Sequence, residues 1–305
     1  MRAPMTQLIL GPGALGRLLA LRLSPQEPVR LLGRRPLPAR LGLTTPEGET
    51  LCREIDSALS DAPLPGEIAA LHLTTKATGA EAALATLAPR LPPRTPLVLW
   101  QNGYEVQPRL HANWPGPVLC ASTSEGAYVV EDGVVHAGRG HTWLGSLDGE
   151  HAELAAALAD LLSRAGLPTT PVADIRQRLW HKLAVNAAIN PLVARFGIRN
   201  GQLRDRPFRP MVEAMIAELA PILAAEGIPA PESGWAVLVW GVIEGTANNR
   251  ASMLQDVGAG RPTERDAILG PLLAAARRHG LPHEGLLAAY HGLDAYHPAR
   301  GEAQP

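Results

Sequence analysis

Lysine is almost missing from this chain of 305 residues. Of its 28 basic side chains only Lys76 and Lys182 are lysines; the other 26 are arginine. Cysteine is as scarce. Cys52 and Cys120 stand far apart with no CxxC spacing, so they suggest neither a disulfide framework nor a zinc site. Cys120 sits in the apolar run PVLCAS and reads as a small core residue. Charge of one sign is missing too. The net charge is −1, without the basic excess that marks a nucleic-acid binder. No run reaches the roughly 18 apolar residues that a membrane span needs. The opening MRAPMTQLILGPG is too short and too soon interrupted for a signal peptide. Carboxylates do not cluster at metal-ligand spacing, and no internal repeat or low-complexity segment stands out. The expectation is a cytoplasmic protein with no metal, no nucleic acid and no membrane partner.

What is present is an ordinary globular composition, 46% apolar. The length suits two domains at about 100–200 residues each. In the first half, short apolar runs end in glycine or polar residues. They are TQLILG (6–11), VRLLG (29–33), IAALHLTTK (68–76), PLVLWQNG (96–103) and PVLCASTS (117–124). Helical patterns follow the first and third. Alternating strands and helices with continuous apolar strands predict a parallel, doubly wound sheet. VVEDGVV (129–135) predicts a hairpin turning at Asp132-Gly133. HTWLGS (141–146) follows as an antiparallel strand, and ELAAALADLLSRAG as a helix ending at Gly166. From about residue 173 the strand signal disappears. DIRQRLWHKLAVNAAIN, RPMVEAMIAELAPILAAEG, SGWAVLVWGVIEGTANN, ERDAILGPLLAAARRHG and HEGLLAAYHGL read as helices. The fold expected is α/β: a Rossmann-like domain over 1–172, then an all-helical domain over 173–305. The apolar residues of GWAVLVWGVIEG leave both a buried core and a homodimer interface open.

The first strand runs into Gly11-Pro12-Gly13-Ala14-Leu15-Gly16 and then a helix. In GxGxxG at such a junction, the glycines serve a tight turn, close approach of a pyrophosphate and close helix–strand packing. The helix N-terminus offers free N–H groups to the anion. Where an NAD enzyme carries an acidic residue for the ribose, about 20 positions on, this chain has Gly33-Arg34-Arg35. Two guanidiniums there can pair with a 2′-phosphate, although arginine is also this chain's default surface cation. NADPH is the cofactor expected, with Arg34 the residue that selects it. Lys76 and Asn102 lie near the ends of later strands, where ligands of such sheets bind.

Lys182, Asn186 and Asn190 are spaced i, i+4, i+8 and share one helix face. Asparagine is a poor helix former, so two on one stripe point to directed hydrogen bonds. Pro191 is expected to interrupt the ladder just after them. Reduction of a ketone leaves an oxygen that needs a proton. An ammonium can attract that charge and release a proton; a guanidinium does only the first. The residues describe an NADPH-dependent carbonyl reductase.

Taken together they resemble the ketopantoate reductases (2-dehydropantoate 2-reductases) of pantothenate and coenzyme A biosynthesis. The resemblance runs over nearly the whole chain. It includes GPGALG, TKA at Lys76, QNG at Asn102, VVHAGRGHTWLG, LWHKLAVNAAINPL, NGQL at Asn200, TANNRASMLQD and RPTERD. It implies a cytoplasmic enzyme reducing a small 2-keto acid, ketopantoate, to pantoate with NADPH. Lys182 matches the proton donor. Asn186, Asn190, Asn200 and Ser252 match substrate-binding positions, with Asn249 beside them. The glycine loop, Arg34, Lys76 and Asn102 match cofactor contacts, Asn102 also nearing the substrate. Glu264 matches an acidic residue at the cofactor–substrate junction. For Ser252 and Glu264 a helix-start role is the other reading: Ser252 as a cap, and Thr263 with Asp266 as a capping box. Two stretches depart from the family pattern. Tyr104 follows QNG where a small or aliphatic residue is usual, and STSEGAYVVED lacks a His-Ala pair. They leave open a paralogous reductase of another branched 2-keto acid. A non-catalytic NADP-binding sensor is the other alternative, one that would need the glycine loop but not Lys182.

Overall fold

The computed structural model describes residues 5–296; the tail HPARGEAQP, expected to be frayed, lies outside them. The chain forms two compact units. One holds the residues up to Gln101 together with Val106–Arg178, the other Asn102–Glu105 together with the chain from Leu179 on.

The first unit is α/β. In chain order it contains β1 (Thr6–Leu10), α1 (Ala14–Leu23), β2 (Val29–Gly33), β3 (Arg40–Thr44), β4 (Thr50–Glu54), β5 (Asp56–Leu59), β6 (Ile68–Leu73) and α2 (Ala77–Leu87). Then come β7 (Leu97–Leu99), α3 (Val106–Asn113), β8 (Val118–Thr123), β9 (Gly126–Val130), β10 (Gly133–Gly138), β11 (Thr142–Gly145), α4 (Ala152–Arg164) and β12 (Thr169–Pro171). Eight strands form one sheet in the order β12-β11-β8-β7-β6-β1-β2-β5. From β8 to β5 all neighbours are parallel, while β11 pairs antiparallel with β8. The apolar runs explain these strands. Leu8, Ile9, Leu31, Leu32, Leu71, Leu97, Val98 and Leu99 are fully buried, each contributing about 1.5–3 kcal/mol of burial. The chain adds β2 on one side of β1 and β6 on the other. That reversal makes the carboxyl ends of β1 and β6 a topological switch point, where open α/β sheets bind ligands.

A second sheet, β4-β3-β10-β9, was not expected beyond its hairpin. Its strands β3 and β4 are short, and β4 alternates between exposed and half-buried residues. In β3 the alternating Leu41 and Leu43 are buried, while β4 owes its strand state to pairing with β3, which pairs in turn with β10. The hairpin also differs from expectation. Gly133 pairs with Val130, so Glu131 and Asp132 form the two-residue loop and Gly133 begins β10. A Cβ on Gly133 would lie 2.1 Å from the carbonyl oxygen of Gly42 on β3. Glycine stands there for close strand approach, not for the turn. The β6 strand stops at Leu73, and Lys76 takes the N-cap position of α2.

The second unit has no strand among its described residues. Helix α5 (Ile175–Phe196) brings the chain into it. It continues with α6 (Phe208–Ala225), α7 (Gly234–Gly245), α8 (Ser252–Gly258), α9 (Arg265–His279) and α10 (Glu284–His291). Leu183, Ala187, Ala188 and Val193 of α5 share a core with Val212, Leu219, Val239, Leu269 and Leu286. Helix α5 does not break at Pro191 but runs through it to Phe196. Leu192, Val193 and Ala194 beyond the proline are all buried, and that packing outweighs one missing N–H bond. In α7, Trp235, Val239 and Ile243 face the core, while Val237 is 59% exposed.

Candidate active site

In the glycine loop each glycine has a different task. Gly11 has φ +118°, and a Cβ there would sit 2.6 Å from the amide nitrogen of Thr75. A Cβ on Gly16 would meet the carbonyl oxygen of Gly11 at 2.0 Å. Gly13 meets nothing within 4 Å. Two glycines are thus fixed by internal contact and the middle one by none, which leaves open space on the loop. Helix α1 starts here with Gly13 as N-cap, no side-chain cap and no acidic residue in its first turn. Its N–H groups and dipole suit an anion. These residues fit the pyrophosphate of a dinucleotide.

Two side chains that the sequence did not single out hold the loop in shape. Arg17 donates from Nε to the carbonyl of Pro12 at 3.1 Å and from Nη1 to the carbonyls of Val130 and Gly133. Thr74 Oγ1 donates to the carbonyls of Leu10 and Gly11, at 3.1 and 2.7 Å. Nothing in their residue types marked them, because their partners are backbone carbonyls, most of them distant in sequence. On the other flank, a Cβ on Gly33 would press on the Pro12 ring at 2.7 Å. Close packing of β2 against the loop therefore sets Arg34 beside it. Arg34 and Arg35 are exposed, as is Lys76 at the start of α2.

The second unit gathers another group. Asn102 Nδ2 donates to Glu264 Oε2 at 3.0 Å. The amide of Tyr104 donates to the carbonyl of Ala267, and a Cβ on Gly103 would lie 2.2 Å from that same oxygen. The segment after β7 therefore lies against the first turn of α9, and Gly103, with φ +86°, lets it. The Tyr104 ring packs on Trp180 of α5, centroids 5.0 Å apart. Lys182 is coupled to Glu264. Burial pushes its ammonium down to about 8, and the Glu264 charge opposes that shift. Glu264 is buried and is the N-cap residue of α9, but it makes no cap hydrogen bond. Thr263 Oγ1 accepts from the Arg265 amide at 3.3 Å at this helix start. Asp266 accepts from the Tyr290 hydroxyl at 2.6 Å.

The asparagines fall into two groups. On α5, Lys182 and Asn186 are half-buried and Asn190 is buried. Asn200 lies elsewhere, in the short helical turn Asn200–Arg204. Its amide nitrogen donates to the Asn249 carbonyl, and its Nδ2 to Thr246 Oγ1 at 2.9 Å. Asn200 thus ties down the segment that carries Asn249. Ser252 is the first residue of α8, after Ala251 as N-cap, and both Asn249 and Ser252 are exposed.

Comparison with known proteins covers both units. Residues 7–149 match the family model described as ketopantoate reductase PanE/ApbA, and residues 174–297 match that of its C-terminal part. The chain is 35% identical over 280 residues to the 2-dehydropantoate 2-reductase of Vibrio cholerae, covering 91% of this chain and 93% of that one. It is 30% identical to that of Halobacterium salinarum, covering 91% and 94%. Among solved structures, a PanE/ApbA family ketopantoate reductase from Ralstonia eutropha has a TM-score of 0.85 at 23% identity, covering 96% and 98%. With two family models meeting the two halves of the chain and relatives aligned over nine-tenths of it, this protein belongs to the ketopantoate reductase family.

Proposed function

We propose that this protein reduces 2-dehydropantoate to pantoate with NADPH, with Lys182 as proton donor. The observation that carries the reading is the buried Glu264 carboxylate, which accepts from Asn102 Nδ2 at 3.0 Å and whose charge acts on Lys182 of α5. A lysine poised near 8 is largely protonated at neutral pH, yet releases its proton far more readily than an ordinary lysine. As the keto carbon is reduced, its C=O π bond opens onto the oxygen. Lys182 Nζ gives that oxygen a proton and is left as a neutral amine. Asn186 and Asn190 extend the same helix face with amide donors and acceptors for the substrate. Ser252 is assigned to the substrate carboxylate, with Asn249 beside it and Asn200 ordering that segment.

The residues that would hold NADPH are Gly11, Pro12, Gly13, Ala14, Leu15 and Gly16 with the α1 N-terminus, and Arg34, Lys76 and Asn102. Glu264 stands at the junction of cofactor and substrate. When bound, the nicotinamide supplies the hydride. Arg34 supports NADPH over NADH, since no carboxylate follows Gly33 and a guanidinium pairs well with a 2′-phosphate.

The test is oxidation of NADPH by the purified protein with ketopantoate beside a panel of other 2-keto acids. Turnover of ketopantoate with the highest kcat/KM supports the reading. A clear preference for another branched 2-keto acid overturns the substrate, and no turnover of any leaves a dinucleotide-binding sensor.

A further inference from the structure

Gln101 is the last residue of the first unit before the Asn102 segment, and it is 4% exposed. Its Nε2 donates two hydrogen bonds, to the carbonyl of Leu73 at 2.8 Å and to that of Thr75 at 3.1 Å. With the amide turned the other way, an oxygen would face two carbonyls, so the orientation follows from the partners. Its own carbonyl accepts from Gln107 Nε2 at 2.8 Å. Its Oε1 is buried without a partner. An amide that leaves an acceptor unsatisfied costs stability. Such a group in a native interior calls for a reason.

The reason lies in what the two carbonyls bracket. Thr74 and Thr75 stand between Leu73 and Lys76. Thr74 Oγ1 bonds the Gly11 carbonyl, and the Thr75 amide faces Gly11 so closely that no Cβ fits. The Leu73 carbonyl has a second donor in the Trp100 amide, at 3.2 Å. The bond that distinguishes Gln101 is therefore the one to Thr75. It fixes the turn that shapes the first glycine on one side and delivers Lys76 on the other.

We propose that Gln101 is a positioning residue for the dinucleotide site, acting through the Thr74–Thr75 turn on both Gly11 and Lys76. This rests on reading the glycine loop as that site. Gln101 touches no reacting group; it sets the geometry of those that hold the cofactor.

Gln101→Met keeps the side-chain length, removes the donor and also removes the orphaned oxygen. The expected result is an NADPH Kd raised about tenfold in fluorescence titration. A matching rise in KM for NADPH is expected, with kcat at saturating cofactor kept within about twofold of wild type and little change in Tm. A merely structural role predicts the reverse, a lowered Tm with Kd unchanged. A second variant guards against poor folding of the first. In Gln101→Glu the neutral acid still has an O–H to donate and the carboxylate has none, so its NADPH affinity relative to wild type should recover as pH falls. Wild-type Kd in Gln101→Met, or a pH-independent ratio in Gln101→Glu, overturns the proposal. If the wild-type protein binds neither NADPH nor NADH, the dinucleotide reading itself fails and this inference falls with it.

Discussion

Asn102 Nδ2 donates a 3.0 Å hydrogen bond to Glu264 Oε2, and the charge on that carboxylate sustains the basicity of Lys182. One buried acid thus serves a residue that follows β7 and a residue on α5. Removing it has a signed consequence. Lys182 is already pushed down to about 8 by burial, against the pull of Glu264. With Lys182 as the proposed donor, the ammonium is the reactive form, and reduction is expected to slow as pH rises through about 8. In Glu264→Gln the opposing charge is gone and the pKa falls further. The alkaline limb of the kcat–pH profile should then move to lower pH. A limb that stays in place would remove Glu264 from control of the donor.

Lys182→Met separates catalysis from stability. Loss of the proposed proton donor should lower kcat by about 10²–10⁴-fold. Stability should move the other way. The folded pKa lies below the ordinary 10.5, so the unfolded chain binds more protons between about 8 and 10.5. Lys182 therefore opposes folding at neutral pH, and this penalty fades as pH rises through that window. The variant should melt above wild type at pH 7 and lose the advantage towards pH 10. Thermal unfolding across pH checks this.

The loop glycines should divide by mechanism. Gly16→Ala forces a Cβ to within 2.0 Å of backbone and should destabilise the first unit, by about 1–3 kcal/mol or more. Gly13→Ala meets nothing within 4 Å, so the protein should keep its Tm. It should still bind NADPH more weakly, because the methyl occupies the space open to the pyrophosphate. Tm and Kd measured on both variants distinguish the two kinds of glycine.

Cofactor choice should follow Arg34, which is exposed beside the loop. Arg34→Ala is expected to reduce kcat/KM with NADPH about tenfold or more while changing the value for NADH little. Equal losses with both cofactors would take Arg34 away from the 2′-phosphate.

His72 is fully buried on β6, with Nδ1 accepting from Trp100 Nε1 and Nε2 facing Gln7 Oε1. Burial pushes its pKa down to about 4 from the usual 6.5. Between those values the unfolded chain takes up a proton that the folded one refuses. Stability should fall as pH drops through that window, by roughly 3 kcal/mol at most, and His72→Gln should flatten the slope. Urea unfolding at pH 7, 5.5 and 4 measures it.

Much of this was legible because the signals were local. The glycine loop carries its turn and its helix start within six residues. The Lys182–Asn186–Asn190 stripe follows from helical spacing alone. Cys120 in PVLCAS is indeed buried. The misses had partners far away. Strand β4 has little apolar pattern and exists through β3, which pairs with the distant β10. Helix α3 also went unforeseen, and the short α8 entered only through the other reading of Ser252 as a cap. The Asp132-Gly133 pair looked like a turn, yet Gly133 answers to Gly42, about ninety positions earlier.

The sequence by itself determined the order of an α/β half and a helical half, the glycine loop and the lysine at 182, since each rests on residue type at local spacing. Only the tertiary structure decided that residues 102–105 leave the β7 strand to join the second unit, where Asn102 meets Glu264. Likewise it decided that α5 survives Pro191, that Thr74 bonds the Gly11 carbonyl, and that Gln101 bonds the Thr75 carbonyl. Hydrogen bonds to backbone carbonyls and the burial that shifts a pKa depend on which surfaces meet. No spacing along the chain encodes that.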